Sequence, residues 1–371
     1  MRCKTIFQYS FLLCVLFVIA CSDPEKPVTR QEAAEVATML TESIAHHKIG
    51  RFNELLDLDA LEKRIMEQSH NKLNRQTVAG TLSGVKSGEL GRQIISSVGT
   101  NGQYELVKQY EKDNHQHLIF RMYNDKLTYH DFELIKKRDK VKIADIFIYT
   151  TGENLSSTYA QTLLSMSEQA ATINNIDVSE VKKVQLIKTY INSNEFEKAN
   201  QLYKTLPGVI RAQKIYKIVY IQIASGLGND EYLAALNKFQ QEYPDAPNMY
   251  LLMIDAYFLK KDYAGALKCV NGLDSLINKD PFLDYYRALI YKQSEDHTNE
   301  LAYLEKLHQT MPRFGAGTLQ LINAYVENKQ WDKAVPLTQV YTKSKDADKE
   351  TIDLLYLMNP EFKKKMGASA D

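Results

Sequence analysis

Arg121, His130 and Asp145 are the residues of this 371-residue chain whose types could do chemistry together. A guanidinium, an imidazole and a carboxylate inside an apolar concavity could hold a small anion or orient a general base. Whether they meet depends on strand register. Asn124-Asp125 and Arg138-Asp139 read as hairpin turns between alternating segments. Pairing Asn124 with Leu127 sets Arg121 opposite His130. Pairing Lys137 with Lys140 sets His130 opposite Phe147 and Asp145 opposite Phe132. All three then share one sheet face with Ile119, Phe132, Ile143 and Phe147. The alternative is a satisfied polar patch or an exposed face, and a slip of one residue reverses the face a side chain occupies.

Other constellations are weaker. His115 and His117, two apart on a strand, share a face, but His130 lies roughly 20 Å along at strand rise, too far to close on one ion. His46 and His47 point apart on a helix, and no zinc spacing is present. Neither a Gly-x-Ser-x-Gly elbow nor an HExxH pair occurs. No catalytic, cofactor-binding or metal-ligating residue is therefore expected. Cys269 reads as a small buried hydrophobe. Gly80, Gly84, Gly88 and Gly91 lie in a predicted helix over 76–97. No Gly-Lys-Ser/Thr ending follows them, so close helix packing is expected rather than a phosphate loop.

The elements that must position the three candidates begin with Thr29-Arg30-Gln31-Glu32, a capping box that opens a helix burying Ala34, Val36, Ala37, Leu40, Ile44 and Ala45. Short helices follow near 52–56 and 60–67. After the glycine-bearing helix the period changes to two, and four strands are expected at 104–111, 116–123, 127–137 and 140–149. Helices followed by an antiparallel meander make residues 29–153 an α+β domain. This order resembles the NTF2-like (cystatin-like) cone, in which a curved sheet wraps a long helix. The resemblance implies a buried small-molecule pocket.

The first twenty residues read as an export signal. Arg2 and Lys4 give a positive start, and Phe11–Ala20 an apolar core too short for a comfortable bilayer span. Val18-Ile19-Ala20-Cys21 resembles a bacterial lipobox. That family is cut before the cysteine, which implies lipid on Cys21 as a membrane anchor. Residues 21–28 read as a polar tether. Ser22 after the cysteine, by resemblance to enteric lipoproteins, implies the outer membrane of a bacterial cell envelope.

Beyond a helical bridge at 154–178, Tyr257, Tyr291 and Tyr325 recur every 34 residues, and Tyr190 precedes Tyr257 by 67. Nine residues after each tyrosine stand Ala199, Ala266, Glu300 and Ala334. A repeat without the tyrosine carries Ala224, Ala235, Phe239 and Pro244. Such a period built from two short helices marks a solenoid. The pattern resembles the tetratricopeptide repeat, with about five copies over 179–345, a capping helix near 349–358 and a basic, solvated tail. The resemblance implies a groove for an extended peptide or partner helix, with Gln185, Lys188, Asp255 and Asn323 as candidate groove residues.

Charge and composition bound the function. Lys+Arg and Asp+Glu are both 46, which removes the electrostatic footprint of a nucleic-acid binder. The expected function is a non-catalytic, membrane-anchored scaffold that binds a protein or peptide partner. The alternative is a small-molecule-binding or enzymatic N-terminal domain that the helical array docks to partners.

Overall fold

The computed structural model describes residues 26–100, 102–124, 126–172, 178–244, 246–344 and 347–367, with the side chains of 168–172 and 178–181 left out. The expected leader, Cys21 and most of the tether lie outside the described residues. At the tether's end Val28 is already buried in the first core, and Lys26 bonds Asp139 at 3.3 Å.

Helix α1 (Arg30–Ala45) starts where its capping box dictates. Thr29 Oγ1 accepts from the Glu32 N–H at 3.2 Å, and Glu32 accepts from the Thr29 N–H at 2.9 Å. It buries Val36, Ala37, Leu40 and Ile44. Helices α2 (Ile49–Leu55) and α3 (Leu58–Gln68) follow. The single helix expected over 76–97 is two, α4 (Arg75–Lys86) and α5 (Glu89–Val98). Gly88 breaks it at φ +91°, a conformation only glycine adopts freely. Three of the four glycines have a near neighbour, Gly84 only the flexible end of Glu89, 2.5 Å from a Cβ placed there. A Cβ on Gly88 would lie 2.5 Å from Ile49, and one on Gly91 3.1 Å from Phe52, whereas Gly80 faces open space.

The sheet is a meander of five antiparallel strands in sequence order. They are β1 (Gln103–Lys112), β2 (His115–Asn124), β3 (Lys126–Lys137), β4 (Lys140–Ile148) and a two-residue β5 (Glu153–Asn154) beyond the four expected. Arg138 and Asp139 both sit at positive φ, the signature of a two-residue hairpin turn. Asp113 and Asn114 do the same between β1 and β2. One sheet face carries Leu118, Phe120, Phe132, Leu134, Ile143 and Ile146 into a core with α1 to α5 and α6 (Leu155–Thr172).

The C-terminal part is helical. Its pairs are α7 (Val178–Asn192) with α8 (Phe196–Lys204), then, after the one-turn α9 (Gly208–Arg211), α10 (Lys214–Leu227) with α11 (Asn229–Glu242). Next come α12 (Met249–Leu259) with α13 (Tyr263–Leu276), α14 (Leu283–Gln293) with α15 (His297–Thr310), and α16 (Gly315–Glu327) with α17 (Trp331–Tyr341). Each pair packs on the next. Ala199, Ala235, Ala266 and Ala334 are buried, as their small size lets helix backbones approach. Glu300, at the equivalent position of the fourth pair, is also buried and is bonded by the His297 ring at 3.0 Å. Helices α18 (Lys349–Met358) and α19 (Pro360–Lys365) come last among the described residues. The expected basic tail is therefore a short helix pinned by Phe362, which is fully buried and stacks on Trp331 with ring centroids 5.9 Å apart.

The second sheet face does not meet water throughout. Ile119, Leu127, Tyr129 and Tyr149 form one continuous core with Met249, Met253, Phe282, Leu283 and Phe314 of the helical part. The sheet thus lies against the starts of α12 and α14 and the turns that precede them.

Candidate functional site

The three candidate residues are not brought together. The β2–β3 hairpin pairs Asn124 with Lys126, one residue tighter than the two-residue turn expected. Arg121 therefore stands opposite Tyr129, and His130 opposite Phe120. Because side chains alternate, that slip places Arg121 on the helical-array face and His130 on the other. The β3–β4 register opens as expected at Lys137 and Lys140, but an irregularity between Glu133 and Leu134 shifts it. Asp145 then pairs with Glu133 rather than lying opposite Phe132, and His130 with Ile148 rather than Phe147. The expected pocket of Arg121, His130 and Asp145 is corrected to three separate environments.

His130 is buried among Tyr104, Phe120 and Phe132, with its Nδ1 hydrogen-bonded to the Tyr104 hydroxyl at 3.0 Å. Burial pushes its pKa down to about 4, so the ring is neutral near pH 7. Asp145 is buried within β4, paired with Glu133 of β3. It accepts from the Ser156 hydroxyl at 2.5 Å and from the backbone N–H of Ile146 and Ser156. Burial raises its pKa against those hydrogen bonds and the Arg64 charge 3.7 Å away. Beside it, burial would raise Glu133, but Arg64 and His115 outweigh it and bring that carboxyl down to about 2. His117 and Tyr110 share Asp131 in a further satisfied group.

Arg121 is where the two parts of the molecule join. Its Nη1 donates to both oxygens of Asp280, at 2.7 and 2.9 Å, and Nη2 bonds Glu105. The guanidinium lies 4.5 Å from the centre of the Phe282 ring. Tyr129 adds a hydroxyl to Asp280 at 3.0 Å. Arg121 and Asp280 are each 3% exposed, so both charges have left water. Asp280 is held ready by its own turn. It accepts from the Phe282 N–H at 3.0 Å, and its backbone N–H donates to Asp274 at 2.9 Å. Asp274 in turn pairs with Arg287 at 2.8 Å, Arg287 with Asp284 at 2.7 Å, and Lys306 with Asp284 at 2.8 Å. A ladder of alternating charge therefore runs from the sheet into α14 and α15.

Aromatic packing surrounds this ladder. Tyr123 lies 4.8 Å from Phe282 and 6.0 Å from Phe314, ring centre to ring centre. At the other edge Asn248 donates to the Thr150 carbonyl at 3.0 Å, against Gly152 at φ +67°. Of the candidate groove residues, Asp255 accepts from the Tyr232 hydroxyl at 2.9 Å. Burial raises its carboxyl pKa, opposed by Tyr232 and by the charge of Lys126 from the β2–β3 hairpin. Gln185 and Lys188 stay exposed, and Asn323 is half-buried.

Sequence reasoning missed Asp280, Tyr129 and Phe282. Asp280-Pro281 lies just ahead of α14, but nothing local tells that the aspartate faces a strand 159 residues earlier. No group of three or more His, Cys, Asp or Glu side chains among the described residues could hold a metal ion. Nor is any described helix long and apolar enough to cross a membrane. No protein-family model matches the chain, and no curated protein matches it.

Proposed function

We propose that this protein is a non-catalytic protein–protein interaction scaffold of the bacterial cell envelope, lipid-anchored through Cys21. Its NTF2-like sheet is docked permanently into a tetratricopeptide-type array. The observation that carries the reading is the Arg121–Asp280 junction, whose buried pair and common core use the sheet for assembly of the protein itself. The starts of α12 and α14 are covered by the sheet, so a partner peptide binds where the first helices remain open, at Gln185 and Lys188 of α7. The separation of Arg121, His130 and Asp145 removes the basis for a small-molecule pocket formed by those three residues.

The reading is tested by crosslinking full-length protein in envelopes, capturing it after detergent solubilisation and identifying partners by mass spectrometry. A discrete partner held by the wild type and lost on Gln185→Glu/Lys188→Glu supports it. Retention of the same partner by that variant, or capture of none, contradicts the groove assignment. Incorporation of an alkyne fatty acid that disappears in Cys21→Ser tests the anchor separately.

A further inference from the structure

Pro207 interrupts the second helix of the first pair. α8 stops at Lys204 and α9 restarts at Gly208 for a single turn, whereas α11, α13 and α15 each run 14 residues unbroken. Proline lacks the N–H that would continue the helix, and it disfavours helical backbone in the residue before it. Beside the break is a cleft of about 500 Å³, large enough for a small ligand.

The cleft has an aromatic floor. Phe239 and Ala235 are buried beneath it, and Tyr203 stacks on Tyr220 at 5.3 Å along one wall. Its remaining lining is mostly cationic: Lys204, Arg211, Lys217 and Lys238, against the single acid Glu242. Glu242 is bonded to Lys217. Among the described residues Lys204, Arg211 and Lys238 have no carboxylate partner. Arg211 is nevertheless oriented, because its Nε donates to the Leu206 carbonyl at 2.9 Å. Its two terminal nitrogens have no partner among the described residues. Like charges gathered around an apolar floor repel one another, and a bound anion offsets that repulsion.

We propose that this cleft binds a small molecule carrying an aromatic ring and an anionic group, phosphate or carboxylate. The ring lies against Phe239 and the Tyr203–Tyr220 pair, and Arg211, Lys204 and Lys238 hold the anion. The site is separate from the open face of α7 and from the sheet junction.

The test is calorimetric titration of the full-length protein with 1-naphthyl phosphate, with 1-naphthol and inorganic phosphate as half-ligands. Saturable binding tighter than either half-ligand is expected, weakening as salt rises. Arg211→Glu and Lys238→Glu, both at exposed positions, should each lower affinity about tenfold or more with unchanged circular dichroism. Ala212→Trp, which fills the cleft from its exposed rim, should abolish binding. Absence of saturable binding overturns the proposal. So does equal affinity of the wild type and the charge-reversed variants, or inorganic phosphate binding as tightly as the naphthyl ester.

Discussion

The sheet junction and the α8–α11 cleft both gather cations beside aromatic rings, but they satisfy them oppositely. At the junction Arg121 has left water with two carboxylates and a ring around it. At the cleft Lys204, Arg211 and Lys238 line an aromatic floor and have no carboxylate partner among the described residues. The contrast teaches how to separate assembly from binding in a chain of zero net charge. A buried ion pair is strongly destabilising to break, because the partner left behind is desolvated and uncompensated. Unpaired cations on an accessible rim cost the fold little and are free to meet an outside anion.

The largest effect should therefore come from the junction. Arg121→Ala is expected to lose about 4 kcal/mol in urea unfolding, since Asp280 stays buried without its guanidinium. By contrast, Lys238→Ala at the cleft should change stability by less than about 0.5 kcal/mol. A loss as large as that of Arg121→Ala would erase the distinction between the regions. Phe282→Ala should cost about 3 kcal/mol, because a fully buried ring contacting Tyr123, Tyr285, Phe314 and Arg121 is removed.

A further expectation concerns pH. The folded pKa of His130 is depressed to about 4 from 6.5, so the unfolded chain binds the extra proton first. Its contribution is full above the unfolded value and is lost as pH falls from 6.5 through 4. The loss amounts to about 2 kcal/mol between roughly pH 7 and pH 5. His130→Leu should flatten that part of the stability curve, and an unchanged slope would show that other groups set it. A smaller loss than that of Phe282→Ala is expected for Gly152→Ala, about 1–2 kcal/mol. Its φ of +67° disfavours a side chain, and the added Cβ would lie 2.6 Å from Asn248 Oδ1.

The legible parts of the fold were those that depend on local pattern. The Thr29 capping box, the strand limits, the Arg138-Asp139 turn and the Lys349–Met358 helix all rest on neighbours within a few residues. The glycine-bearing helix was misread because Gly88 acts as a breaker, which composition alone does not separate from a packing glycine. The candidate site failed on two register changes of one residue each. The tight Asn124–Lys126 turn and the irregularity near Leu134 each changed the pairing, and each change moved a side chain to a different environment. Asp280 could not be foreseen for another reason. Its partner is set by how sheet and helices dock, and no local period encodes that contact. Phe362 was hidden in the same way, because a run of lysines after it reads as solvated.

The most direct test of the account is a double-mutant cycle on Arg121→Met and Asp280→Leu, measured by urea unfolding of the full-length protein. If the buried pair joins sheet to array, the single variants should each be strongly destabilised and the double variant much less than their sum. The coupling energy should be about 2–3 kcal/mol. Additive losses, with a coupling below about 0.5 kcal/mol, would contradict the junction as the bond that makes one body of the two parts.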